Sequence, residues 1–209
     1  MAIFLHIINS TGALDTQLAM IQQAFEASVP HTGKYLHLTD ADVIVSNAPR
    51  LAVPELGVGG YTDAINSTIY ISIDTHKKIA AESITATLDH EFYHLKRHQL
   101  TGLPRTLLER ILDEGLACKY EAEVHGKPPI YARVKLNADL IKRISEHFGD
   151  TRDTDRWFFG GSNIPKWAGY SLGYTLINEY ATKNRTTALK IVKTKLTSMT
   201  GVGTVSALL

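Results

Sequence analysis

Along this 209-residue chain the spacing of apolar positions changes several times, and each change marks an element. Residues 3–8 form a short apolar run rich in β-branched side chains. Asn9-Ser10-Thr11-Gly12 ends it, which predicts a first strand. Leu14, Leu18, Ile21 and Phe25 then recur at helical spacing and predict a helix over 14–27, with Pro30 after its end. Residues 35–38 and 43–45 predict two more strands, and Pro49 and Pro54 break the pattern. A glycine-rich approach, Leu56-Gly57-Val58-Gly59-Gly60-Tyr61, leads into 68–73. There the side chains alternate with period two and predict a strand.

The pattern then turns helical. Asp74 or Thr75 is placed to cap a helix over 77–98. Its apolar stripe is Ile84, Leu88, Phe92 and Leu95, with His90, Glu91 and His94 off the stripe. This predicts a helix packed along one face and offering polar groups from another. After Gly102 and Pro104 a second helix is predicted over 106–124, closed by Gly126 and Pro128-Pro129. Further helices are predicted over 136–148, 166–181 and 187–199, with an irregular aromatic connection over 157–165. The expected architecture is one α+β domain with a sheet-containing lobe over about 1–100 and a helical lobe over about 101–209.

Composition narrows the possible partners. Hydrophobic residues make up 44% and charged residues 21%, enough to bury a core. With 22 basic and 21 acidic residues the net charge is +1, which gives no electrostatic reason to expect nucleic acid or an anionic membrane. Cys118 is the single cysteine, so no intrachain disulfide forms. The first residues lack the basic and long apolar stretches of a secretion signal, and no apolar run is long enough for a membrane span. A soluble cytoplasmic protein is expected.

The chemistry concentrates at His90-Glu91-Phe92-Tyr93-His94, an HExxH pattern within the predicted 77–98 helix. Histidines at i and i+4 share a helix face and can reach one metal ion. Glu114, on the next helix, follows Leu107 and Ile111 and precedes Cys118 at helical spacing. It thus lies on a mostly apolar face, and a buried carboxylate there needs a partner such as a metal. Asp113 and Glu109 compete but lie on other faces. His98, a turn beyond His94, is expected to be peripheral. The metal expected from these ligands is one Zn²⁺ per chain on His90, His94 and Glu114, with the fourth position open to water. The acidity of that water would rise to a pKa of about 7, and Glu91 would act as general base. An oxyanion donor is sought in Trp167-Ala168-Gly169-Tyr170-Ser171-Leu172-Gly173-Tyr174. Tyr170 and Tyr174 are the candidates, and the sequence does not choose between them. Strand 68–73, preceded by Gly59, Gly60 and Tyr61, is expected to be an edge strand that binds extended substrate.

The HEFYH helix with Glu114 resembles the gluzincin type of zinc metallopeptidase. Together with Gly57-Val58-Gly59-Gly60-Tyr61, Asp113-Glu114-Gly115-Leu116-Ala117 and the Trp167–Tyr174 segment, it resembles a bacterial family of predicted zinc-dependent proteases catalogued as a domain of unknown function. The resemblance implies a zincin-like fold, one catalytic zinc and peptidase activity on a peptide or protein substrate. Two positions depart from the pattern. Cys118 stands where many gluzincins carry an acid four residues after the glutamate ligand, and Lys96 stands where an apolar residue is usual. Two rival readings are a zinc hydrolase of a non-peptide amide and a zincin-like binding or regulatory protein with a non-catalytic metal.

Overall fold

The computed structural model describes residues 2–200; Met1 and residues 201–209 lie outside the described residues. The chain divides into two compact units, Met1–Gln99 and Leu100–Leu209. Seven helices and a four-stranded mixed sheet among the described residues make it an α+β protein.

In the first unit the elements run β1 (Ala2–Ile8), α1 (Leu18–Tyr35), β2 (Asp40–Asn47), β3 (Val58–Asp63), β4 (Thr68–Ile73) and α2 (Ala81–Thr101). The sheet order is β1-β2-β4-β3. The first three are parallel and β3 is antiparallel to β4. Register puts Val43, Val45, Ile69, Ile71, Ile73 and Val58 on one face, each at most 1% exposed. Burying each such side chain stabilises the fold by about 1.5–3 kcal/mol. The other face carries exposed Phe4, Ile8, Tyr61 and Tyr70.

Four expectations are corrected in this unit. Helix α1 does not stop before Pro30 but continues to Tyr35, so 35–38 is not a strand. Proline removes one helical donor. The buried positions Ile21, Ala24, Ser28 and Thr32 nevertheless continue at helical spacing past it, and their packing outweighs that loss. The glycine-rich approach is itself strand β3, because Gly59 lies against backbone: a Cβ there would come 2.3 Å from the Leu51 carbonyl oxygen. Residues 68–73 are β4 as expected, but β4 lies inside the sheet and β3 is the edge. Helix α2 begins at Ala81 rather than 77, because Asp74 closes a turn instead. Its carboxylate accepts from the His76 amide at 3.1 Å and its carbonyl from the Lys77 amide at 3.1 Å.

The second unit contains α3 (Leu107–His125), α4 (Ala138–Ser145), α5 (Arg156–Phe159), α6 (Ala168–Lys183) and α7 (Leu196–Thr200). Thr106 and Glu109 form a reciprocal capping box at the start of α3, and Gly126 ends it in the left-handed region at φ 73°. Helices α3 and α6 meet backbone to backbone. A Cβ on Gly173 would lie 2.0 Å from the Ile111 carbonyl oxygen, and one on Gly115 would lie 2.3 Å from the Gly173 backbone. Gly169 instead accommodates the Phe158 ring. The predicted helix 136–148 shortens to α4, capped by Asn137. The connection 157–165 holds the single turn α5 and a Gly161–Ile164 bridge. The predicted helix 187–199 is mostly turns, and only α7 is helical. Its β-branched residues are weak helix formers. Among the described residues no helix is long and apolar enough to cross a membrane.

The α3–α6 contact and the burial of Cys118 each carry a prediction. In an open helix Gly173→Ala would stabilise by about 1 kcal/mol through propensity. Here the clash reverses the sign, and urea denaturation is expected to show a net loss of about 2 kcal/mol; a stabilised variant would mean the two backbones are not in contact. Cys118 is fully buried, and burial first, then the charges of Glu121 and Glu114, push its thiol well above the ordinary range. The native thiol therefore stays protonated and unreactive at pH 8, with Ellman's reagent expected to label it only after denaturation. Its raised folded value contributes stability below the unfolded thiol's pKa of about 8.5, and that contribution is lost as pH rises above it.

Candidate metal centre

The middle of α2 is buried on every side. Every residue from Leu88 to Leu95 is buried, as is Arg97, so the expected half-open helix is replaced by one enclosed all round. His90 and His94 are 5% and 6% exposed, and their Nε2 atoms stand 3.1 Å apart. Two nitrogens at about 2.05 Å from a tetrahedral zinc stand about 3.3 Å from each other. The pair therefore already has close to the spacing of a two-histidine chelate. The His94 and His98 rings meet a turn further on, with centroids 5.3 Å apart and planes tilted by 37°.

Polar partners from other elements hold the groups beside the histidines. The Ser28 hydroxyl on α1 donates to the Asp89 carboxylate. On the other side of α2 the Thr62 hydroxyl of β3 lies 2.6 Å from Glu91 Oε2 and 3.0 Å from the Glu91 carbonyl oxygen. Gly60, two residues earlier on the same strand face, leaves room for the same carboxylate. A Cβ there would come 2.6 Å from Glu91 Oε1. Thr62 escaped the sequence reading. Its only signal was the period-two relation to Gly60, and that relation carries meaning only once β3 is known to be a strand.

Of the three glycine-segment residues, only Gly60 turns toward this group. Tyr61 points to the opposite sheet face, 65% exposed, where its ring lies 6.2 Å from that of Tyr70. Gly59 packs on the Leu51–Ala52 backbone. The main chain follows the same alternation. The Val58 carbonyl accepts the Val53 amide on the side away from β4. Gly60 and Thr62 consequently also direct their amide and carbonyl groups off the sheet edge, while Gly59 and Tyr61 direct theirs at β4.

In the second unit Glu114 is half-buried on α3, one turn before the buried Cys118 and on the face of buried Ile111. Glu109 is committed to the cap, accepting the Arg105 amide at 2.7 Å. Asp113 is buried as well. Tyr170 on α6 is half-buried, its ring 5.2 Å from those of both Tyr131 and Phe158. Tyr174, also half-buried, has its phenol raised above the ordinary range by burial and by Cys118 and Glu123. A second pair was not foreseen: the Tyr131 hydroxyl donates to Glu121 Oε2 at 2.5 Å. Burial, then the Glu121 and Cys118 charges and this bond, hold the Tyr131 phenol well above the ordinary range. Glu121 lies seven residues after Glu114, a helical repeat that could have pointed to it.

No solved structure gives a significant match. The uncharacterized protein YjaZ of Bacillus subtilis (strain 168) is 30% identical over 115 residues, 49% of this chain and 44% of that protein's own length. The family described as Predicted Zn-dependent protease (DUF2268) matches residues 20–200, and the chain belongs to that family.

Proposed function

We propose that the protein is a single-zinc metallopeptidase of gluzincin type that hydrolyses peptide bonds. The observation that carries the reading is the buried His90–His94 pair, 3.1 Å apart at Nε2, with the Glu91 carboxylate beside it on the same helix. Glu114 is the proposed third ligand, supported by its spacing after the HExxH pattern and by its half-buried place beside Ile111 and Cys118. Membership of a family of predicted Zn-dependent proteases supports zinc as the metal. Zinc bound by these residues supplies a Lewis acid that acidifies water and polarises a carbonyl.

The chain's own groups do the rest. Glu91 takes the proton of the attacking water and passes it to the leaving amine. Tyr170 or Tyr174 donates to the developing oxyanion. An extended peptide adds to the edge of β3 beyond Val58, where the Gly60 amide and carbonyl point outward, and Gly59 and Tyr61 fix that strand by pairing with β4. Gly60 also lies against Glu91, so a substrate paired there is brought to the base.

Metal analysis by mass spectrometry is expected to find about one zinc per chain, lost in the double variant His90→Ala, His94→Ala. Glu91→Gln is expected to keep the zinc and lose hydrolysis of a quenched fluorescent peptide library by about a hundredfold or more. A native protein that takes up no zinc sinks the reading. A Glu91→Gln variant with full activity would move the chemistry elsewhere, and zinc without any hydrolysis would leave a binding protein.

A further inference from the structure

The proposed base is held by a strand rather than by its own helix. Glu91 has one carboxylate oxygen, Oε2, at 2.6 Å from the Thr62 hydroxyl, while Oε1 lies by the Cα of Gly60. A hydroxyl has one proton to donate. The carboxylate at 2.6 Å is a closer and more strongly charged acceptor than the Glu91 carbonyl at 3.0 Å, so it takes that proton. We propose that Thr62 is a positioning residue for Glu91: it occupies Oε2 and leaves Oε1, on the Gly60 side, as the oxygen that accepts the proton of water. This rests on the peptidase reading above and adds to it a division of labour between the two oxygens.

The geometry gives reasons beyond proximity. Without a partner a glutamate on a helix samples several rotamers, and a base that is ready only part of the time is a slower base. Thr62 and Gly60 face the same side of β3, so one strand supplies both the anchor for Oε2 and the space for Oε1. A larger residue at 60 would drive its Cβ into Oε1, and a residue at 62 without a hydroxyl would release Oε2. The same two residues direct their main-chain groups off the sheet edge. A peptide added to that edge would therefore press on the strand that holds the base, which links substrate docking to the orientation of Glu91.

The test does not need the natural substrate. Native protein, Thr62→Val, Thr62→Ser and Glu91→Gln would each be loaded with Co²⁺ and titrated with acetohydroxamate, followed by the visible absorption of the cobalt. Acetohydroxamate chelates the metal and gives its hydroxyl proton to an adjacent carboxylate, so its affinity reports where that carboxylate stands. All four proteins are expected to hold about one cobalt per chain. Glu91→Gln is expected to weaken the probe most, Thr62→Val by about tenfold, and Thr62→Ser by less than about threefold. Valine keeps the shape and strand preference of threonine. Should it still fail to fold by circular dichroism, Thr62→Ala carries the same expectation. Native affinity in the hydroxyl-free variant, with Glu91→Gln weakened, overturns the role of Thr62 and leaves the peptidase reading standing. Failure of the native protein to take up cobalt, or native affinity in Glu91→Gln, overturns the peptidase reading itself.

Discussion

Burial of the middle of α2 is the constraint on which the first unit turns. Within eight residues that helix encloses Asp89, His90, Glu91 and His94, with Arg97 just beyond, and all five are buried. Removing such groups from water is costly unless each finds a partner. The partners are specific: Ser28 of α1 for Asp89, Thr62 of β3 for Glu91, and the two imidazoles of α2 for one another. Each comes from a different element. Helix α1 must continue through Pro30 with its Ser28 and Thr32 face intact, and β3 must run close enough to α2 for a threonine hydroxyl to reach it. The arrangement of the sheet and helices of this unit can be read as the solution to that one desolvation problem.

Glycine supplies the distances that the solution needs. At Gly60 the missing Cβ admits the Glu91 carboxylate, and at Gly59 it admits the Leu51 carbonyl. The second unit uses the same device between helices. Gly115 and Gly173 bring α3 and α6 into backbone contact, which fixes the turn of α3 that carries Glu114 and, one turn later, Cys118. In both units a glycine sits next to, or faces, a residue with a proposed chemical role. A glycine inside a helix or strand costs stability. Its presence at these positions follows from the close approach that it allows.

The sequence showed the parts whose signal is local. Period-two alternation located β4, Gly102 and Pro104 before and Gly126 after bounded α3 to within a residue at each end, and the i, i+4 relation brought His90 and His94 together. What it hid depends on contacts between distant segments. Pro30 reads as a stop because proline usually is one, and only the buried face at Ser28 and Thr32 shows why the helix continues. The glycines of 57–60 read only as an approach to the next strand because nothing local reveals that Leu51 lies against Gly59. Residues 187–199 carry apolar residues at helical spacing, yet their threonines and β-branched neighbours favour turns. Thr62 and Glu121 carried only a spacing signal, because the role of each comes through a partner on another element, Glu91 and Tyr131 respectively.

The same partners bear on the kind of metal chemistry the site would support. A purely structural site closes its coordination shell and has no use for a carboxylate beside the ligands. Glu91 is such a carboxylate: it follows the first histidine directly and is enclosed at 7% exposure, where burial of its charge is costly. A hydroxyl on one oxygen offsets part of that cost and leaves the other oxygen open beside Gly60, whose main chain remains exposed at the sheet edge. Were Glu91 there only to stabilise the fold, an apolar residue of similar size would pack against β3 at lower cost, and neither the Thr62 hydroxyl nor the bare Cα of Gly60 would be needed. The retained carboxylate, its single anchored oxygen and the strand edge beside it are what the proposed base would need for a substrate laid along β3.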